Sequence, residues 1–242
     1  MNTIKLDKQG SPVKMIAHRG LSGLERENTC AAFVAAGNRE IYWGVETDVH
    51  TTADGQIVVI HDDNTARVSG EDLVVEQTDM ATLRSLRLWD MDGKTKREDL
   101  VPPTLREYIS ICKRYEKMAV LELKNPMPEE VICQIIDTVA DMEYTENMVV
   151  ISFSFDNMVF LRKHYPKQKA QFLLKDWDDK WLPKLQEYDL GLDIKFTAVT
   201  PELVEKLHAI GQEINCWTVD TLADAARVIE CGVDYITTNI LE

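Results

Sequence analysis

Positive charge is the scarcest resource in this chain. Its 242 residues carry 27 Lys and Arg against 41 Asp and Glu, a formal net charge of -14. That balance argues against nucleic acid and anionic membrane as principal partners. It also means that an anionic substrate would need a local basic patch or a bound cation. Cysteine is sparse too. Cys30, Cys112, Cys133, Cys216 and Cys231 are odd in number, widely spaced and without a Cys-x-x-Cys pair. A disulfide framework and a cysteine-ligated zinc are therefore not expected. Buried free thiols and a reducing, cytoplasmic location are. No apolar run approaches the roughly 20 residues of a membrane span, so no stable membrane insertion is expected. The start, MNTIKLDKQG, is too polar for a signal peptide. GxGxxG, GxxxxGK[ST] and GxSxG are all missing.

What is present is an ordinary globular composition, 45% apolar and 28% charged. Short apolar runs alternate with amphipathic stretches along the chain. Strands are expected at Val13–Ala17, Gly44–Val49, Gln56–His61, Met118–Leu123, Met148–Phe153, Lys169–Leu174, Leu192–Phe196, Glu213–Val219 and Val233–Thr238. Helices are expected at Cys30–Ala36, closed by Gly37, and at Leu105–Arg114, Glu129–Met142, Asn157–His164, Lys180–Glu187, Pro201–Ile210 and Thr221–Glu230. This rhythm is that of a (β/α)8 barrel, an α/β fold of TIM type, with a doubly wound open sheet as the alternative. A chain of this length is read as a single barrel domain, 1–242. Periodicity weakens between Asn64 and Pro103, an excursion with one short helix near Thr82–Leu86.

The stretch Trp43–Asp62, WGVETDVHTTADGQIVVIHD, is the centre of the reading. Glu46 and Asp48 share one face of a strand, where acids are costly to bury without a partner. In a barrel the site forms where strands end. The strand ends here bring His18 and Arg19, Glu46 and Asp48, His61, and Glu122 with Lys124. Glu46, Asp48 and Glu122 are hard oxygen donors suited to Mg²⁺ or Ca²⁺. Taken singly, each acid reads as salt-bridged surface, with Glu122 pairing Lys124. His18 and His61 are the acid and base candidates. Arg19 and Lys124 are candidates to hold an anionic oxygen. Trp217 is a pocket wall or plain core. His50 is placed in a hairpin turn and expected to be exposed, and His164 and His208 on helix surfaces. The set points to phosphoryl or phosphodiester chemistry.

The ordered pieces His18-Arg19-Gly20, Glu27-Asn28-Thr29, Glu46-Thr47-Asp48, His61-Asp62, Glu122-Leu123-Lys124, Ser152-Phe153, Trp217-Thr218-Val219 and Thr237-Thr238-Asn239 span nearly the whole chain. In that combination the sequence resembles the glycerophosphodiester phosphodiesterase family. The resemblance implies a TIM-type barrel with a small insertion after the second strand, here 62–101. It implies metal ligation by Glu46, Asp48 and Glu122, acid–base roles for His18 and His61, and phosphate contacts from Arg19 and Lys124. Glu27 is implied near the metal or its water shell, and Phe153 and Trp217 on the glycerol side. The implied reaction is metal-dependent hydrolysis of a small-molecule glycerophosphodiester to glycerol 3-phosphate and an alcohol. His61 is expected as base and His18 as acid. A related diester such as a lysophospholipid, or a catalytically silent binding barrel, is the alternative. Two departures stand out. The Arg-Thr pair usual after His-Asp is replaced by Arg67-Val68, and the chain stops at Glu242 without a closing helix. Residues 1–12, or a partner subunit in an oligomer, are expected to cover the outer face left there.

Overall fold

The computed structural model describes residues 2–8 and 10–242. Its strands are β1 (Lys14–Ala17), β2 (Tyr42–Thr51), β3 (Ile57–Val59), β4 (Met118–Leu123), β5 (Met148–Ser152), β6 (Ala170–Leu174), β7 (Gly191–Lys195), β8 (Ile214–Trp217) and β9 (Tyr235–Thr238). All except β3 pair in parallel, in the order β1-β9-β8-β7-β6-β5-β4-β2, and β1 pairs back onto β2 to close the ring. The result is the expected eight-stranded parallel barrel with interspersed helices. β3 is the exception that broke the sequence rhythm. It returns antiparallel against the end of β2, with Val49 opposite Val59 and Thr51 opposite Ile57.

The helices are α1 (Cys30–Gly37), α2 (Ala66–Ser69), α3 (Met80–Ser85), α4 (Leu105–Arg114), α5 (Glu129–Asp141), α6 (Phe155–His164), α7 (Leu182–Glu187), α8 (Pro201–Ala209) and α9 (Leu222–Cys231). Local chemistry starts most of the longer ones. Thr29, Thr104, Ser154, Thr200 and Thr221 each accept a hydrogen bond from a first-turn amide. At α4 the cap is reciprocal: Glu107 returns a carboxylate to the Thr104 amide, 2.7 Å. Glu107 also pairs with Arg84 of α3. One acid thus joins the start of a barrel helix to the excursion that precedes it. Gly37 closes α1 as expected, as its last helical residue, and a Cβ there would lie 2.6 Å from the Tyr115 ring. The glycine serves close packing.

The long segment after β3 carries α2, α3 and a 3-10 turn at Val75–Gln77, more structure than the single helix expected. It encloses its own apolar cluster. Val68, Val75, Met80, Leu83, Leu88 and Leu100 pack with Val58 and Ile60 of the hairpin return. A loop of this length holds its shape because it has a small core.

Two further expectations change. β2 extends through His50 and Thr51, so His50 is a fully buried strand residue and not an exposed turn. Its Nε2 lies 3.3 Å from the His61 carbonyl oxygen. At the chain ends, Ile4 bridges Leu241 in parallel. The Ile4 amide donates to Ile240 and the Glu242 amide donates back to Ile4, at 3.1 and 2.8 Å. Lys5 and Arg39 close on the Glu242 carboxylate. The expected lead-in therefore does lie against the end of the chain, though Met1 and Gln9 fall outside the described residues. No helix among the described residues is long and apolar enough to cross a membrane.

Replacing Thr104 with Ala removes one half of the α4 cap and loosens the hold on Glu107. Denaturant unfolding should show a loss of about 1 kcal/mol, with the barrel's circular dichroism spectrum unchanged.

Candidate active site

The parallel register between β2 and β4 sets Asp48 opposite Glu122 and Glu46 opposite Val120. Glu46 and Asp48 are two residues apart, so both turn to the barrel interior. Ligand atoms from Glu46, Asp48 and Glu122 all lie within 4.8 Å of one another, and all three side chains are buried. Three acids this close cannot all keep their charge unaided. Burial, then the neighbouring Asp48, push Glu46 and Glu122 toward the neutral form. Burial works against the Asp48 charge too, but Arg19, Lys124 and His61 outweigh it and hold Asp48 ionised. Arg19 Nε is 3.4 Å from one Asp48 oxygen and Lys124 Nζ 3.4 Å from the other. Yet Asp48 Oδ1 and Arg19 Nε have no hydrogen-bond partner. A set of oxygen donors, one of them ionised and orphaned, fits a divalent cation.

Both histidines are held by the same ring nitrogen. His18 Nδ1 lies 2.8 Å from Asn239 Oδ1. Asn239 is turned by Asp220, which accepts its side-chain amide at 2.6 Å. The oxygen of Asn239 therefore faces His18, so His18 Nδ1 donates and Nε2 is left bare, 4.0 Å from Glu46 Oε2. His61 Nδ1 lies 2.7 Å from Asp62 Oδ1, which likewise leaves Nε2 free. Burial, with Arg19 beside it, lowers His18 to about 4, keeping it neutral in ordinary buffers. Burial also lowers His61, against the pull of Asp48 and Asp62.

Arg19 sits in the left-handed region, φ 54°. The turn that follows uses Gly20, φ 76°, where a Cβ would fall 2.6 Å from the Ala32 backbone. This turn aims the Arg19 amide at Glu46 Oε2, 2.8 Å, and its guanidinium at Glu27, 2.8 Å. Lys124 donates to Glu122 at 2.8 Å.

His18, Arg19, Glu46, His61, Glu122 and Lys124 line one cavity of about 500 Å³ at the carboxyl ends of the strands. Its apolar wall is made by Ile151, Leu173, Phe153 and Trp217, the last two edge to face with centroids 5.7 Å apart. The expected metal, histidine, phosphate and wall candidates are therefore brought together. Glu27 stands one ion pair out from the carboxylate group, on Arg19, which contacts Asp48, and on Arg67. His164 and His208 lie away from the cavity, paired with Glu129 and Asp234.

The sequence profile of the glycerophosphoryl diester phosphodiesterase family matches residues 18–242. The chain belongs to that family. A curated glycerophosphodiester phosphodiesterase from Caldanaerobacter subterraneus is 29% identical over 231 residues, covering 93% of each chain. Among solved structures, a phosphodiesterase from Oleispira antarctica, in complex with the product sn-glycerol-3-phosphate, superposes with a TM-score of 0.80 at 25% identity, covering 93% of this chain and 92% of that one. A glycerophosphodiester phosphodiesterase from Parabacteroides distasonis gives 0.79 at 26% identity, covering 95% and 93%.

Several members of the site were not singled out from sequence. Asn28, given there only as part of Glu27-Asn28-Thr29 and without a role, donates to Asp48 Oδ2 at 2.8 Å, while Thr29 caps α1. Arg67, noted only as a departure from the family pattern, bridges Asp62 at 2.6 Å and Glu27 at 2.7 Å. Asp220 had no local signal beyond following a strand, and Asp193 none beyond lying within one.

Glu27 provides a test of this electrostatic frame. Burial opposes its charge, but Arg67 and Arg19 overcome that and lower it to about 2. A depressed carboxylate stabilises the fold above its ordinary value of about 4.3 and loses that contribution as pH falls toward 2. Glu27→Gln should therefore be less stable than the wild type at pH 7. The gap should narrow between about pH 4.3 and the folded-state value, read by urea unfolding at each pH.

Proposed function

We infer that the protein hydrolyses glycerophosphodiesters, giving glycerol 3-phosphate and an alcohol. The observation that carries this is the meeting, in one cavity, of a cation-binding carboxylate group with two oriented histidines and two fixed cations, in a chain of this family. The product-bound phosphodiesterase from Oleispira antarctica supports the same reading.

Glu46, Asp48 and Glu122 would hold one divalent cation, and their all-oxygen chemistry favours Mg²⁺ or Ca²⁺. Bound there, the ion would neutralise phosphate oxygens and stabilise charge developing on phosphorus. Arg19 and Lys124 line the same cavity and share that charge from fixed positions. They also supply the local positive field that the net charge of -14 lacks.

The partners of the two histidines favour roles opposite to those expected from the sequence. His18 is held by an amide oxygen and kept neutral, so its bare Nε2 suits the base. It takes the proton of the attacking hydroxyl: of water, which gives glycerol 3-phosphate directly, or of the neighbouring glycerol, which gives a cyclic phosphate that water then opens to glycerol 3-phosphate. His61 is backed by the Asp62 carboxylate, itself held by Arg67; that carboxylate favours the protonated ring against the burial that disfavours it, a support His18 lacks. It gives its proton to the leaving alcohol oxygen as the phosphorus–oxygen bond breaks. Phe153 and Trp217 wall the side away from the charged groups and keep water from the organic part of the diester.

The first assay is glycerol 3-phosphate release from glycerophosphocholine by metal-stripped protein, with Mg²⁺ or Ca²⁺ restored. Release should depend on the added ion. Either His18→Ala or His61→Ala should lower turnover by about 100-fold or more, with calorimetric metal binding retained. On a diester with a p-nitrophenolate leaving group, which needs no proton, His61→Ala should recover most of its activity and His18→Ala should not. The reverse pattern would exchange the two roles. Glu46→Ala, Asp48→Ala and Glu122→Ala should each weaken metal binding in calorimetry, and unchanged affinity in all three would remove the ligand assignment.

A further inference from the structure

The floor of the cavity is chemically divided. On the β5–β6 side it is Ile151 and Leu173. On the β7–β9 side it is polar, with Asp193 and Thr237 in the cavity lining and Asn215 buried beside them. Asn215 and Thr237 satisfy each other. The Asn215 amide donates to Thr237 Oγ1 at 2.9 Å, and the hydroxyl is 3.2 Å from Asn215 Oδ1. Asp193 is the residue left over. It stands mid-strand on β7, in register with Asn215 of β8, and is 2% exposed. Its Oδ1 has no hydrogen-bond partner. A buried carboxyl oxygen without a partner is costly, and natural structures keep such atoms where a ligand completes them.

The chemistry of that ligand follows from the neighbours. The cations of the cavity nearest the carboxylate group are committed elsewhere: Arg19 to Glu27 and Asp48, Lys124 to Glu122 and Asp48. A carboxyl oxygen can accept a hydrogen bond whether the acid is ionised or protonated. A hydroxyl group can donate that bond without adding a charge. Position decides which half of a diester provides it. Asp193 is 2% exposed and meets the cavity from within the barrel, where the half of the diester held deepest in the site, the retained glycerol phosphate, would sit.

We propose that Asp193 is a specificity-determining residue that binds a free hydroxyl of the substrate's glycerol moiety. This rests on the phosphodiesterase reading above and adds to it a reason for glycerol. Diesters without that hydroxyl leave Asp193 unpartnered and are disfavoured, while the leaving alcohol stays free to vary.

The test compares glycerophosphocholine with its two deoxy analogues, in which one or the other glycerol hydroxyl is replaced by hydrogen, using metal-loaded protein. The wild type should lose about tenfold or more in kcat/KM on one analogue, since a site built for a hydroxyl rejects the compound lacking it. Asp193→Leu removes an unpaired buried acid for an apolar side chain of similar size, so it should fold at least as stably. It should lose a similar factor on glycerophosphocholine and no longer distinguish the two compounds. Asp193→Asn keeps an acceptor and should retain most of the discrimination. Equal wild-type rates on all three compounds would overturn the proposal. So would a Leu variant that falls equally on all of them, or that fails to fold, since Asp193 would then be structural. A wild type that releases no glycerol 3-phosphate with either ion would instead bring down the phosphodiesterase reading itself, and this inference with it.

Discussion

Mutual repulsion among three buried carboxylates is the constraint around which this molecule is arranged. Glu46, Asp48 and Glu122 are brought within 4.8 Å by nothing more than the parallel register of two strands. Left alone, such a group would be among the most costly features of the fold. Its cost explains the surroundings. Arg19 and Lys124 reach Asp48 from opposite sides, the Asn28 amide takes one of its oxygens, and the Arg19 backbone amide takes Glu46. Even so, one Asp48 oxygen remains unpartnered. What results is a buried group of oxygen donors able to take up a divalent cation.

The same logic extends outward through the histidines. A histidine ring with one nitrogen fixed and the other free is placed to pass a proton. His18 is fixed through Asn239 and Asp220, which come from the end of β9 and the loop after β8. His61 is fixed through Asp62 and Arg67, and Arg67 belongs to α2 of the inserted segment. The insertion therefore has a role in the site as well as a core of its own. Arg67 pairs with Glu27, Arg26 donates to the Trp89 carbonyl, and Glu76 is joined to Asn125. These ties lay the segment against the carboxyl ends of the barrel strands. A shift of the segment would be felt at His61.

Much of this was readable in the residues. The strand and helix rhythm gave the barrel, because apolar period and capping chemistry act locally: Thr104 with Glu107 marks a helix start wherever it occurs. Glu46 and Asp48 were readable because a two-residue spacing fixes a shared face. His50 was not. Whether a strand stops at Val49 or runs on to Thr51 depends on pairing with β3, and that pairing buried a histidine that looked like part of a turn. The partners of Glu27 were not readable either, because Arg67, which shares its carboxylate with Arg19, lies 40 residues on. Asp193 was passed over because an acid in a weakly apolar run looks like surface until the barrel closes around it.

The sequence by itself determined which groups are available and where each sits along its own strand: three hard acids, two histidines, two cations, and the turns and caps that start and stop the elements. These follow from backbone geometry over a few residues. The tertiary structure alone decided which groups face one another. It set Asp48 against Glu122, turned both histidines by their Nδ1 atoms, joined Glu27 to Arg19 and Arg67, and left Asp193 Oδ1 without a hydrogen-bond partner in the cavity. Those outcomes depend on strand register and ring closure, which are settled by the packing of the whole barrel and by no single stretch of the chain.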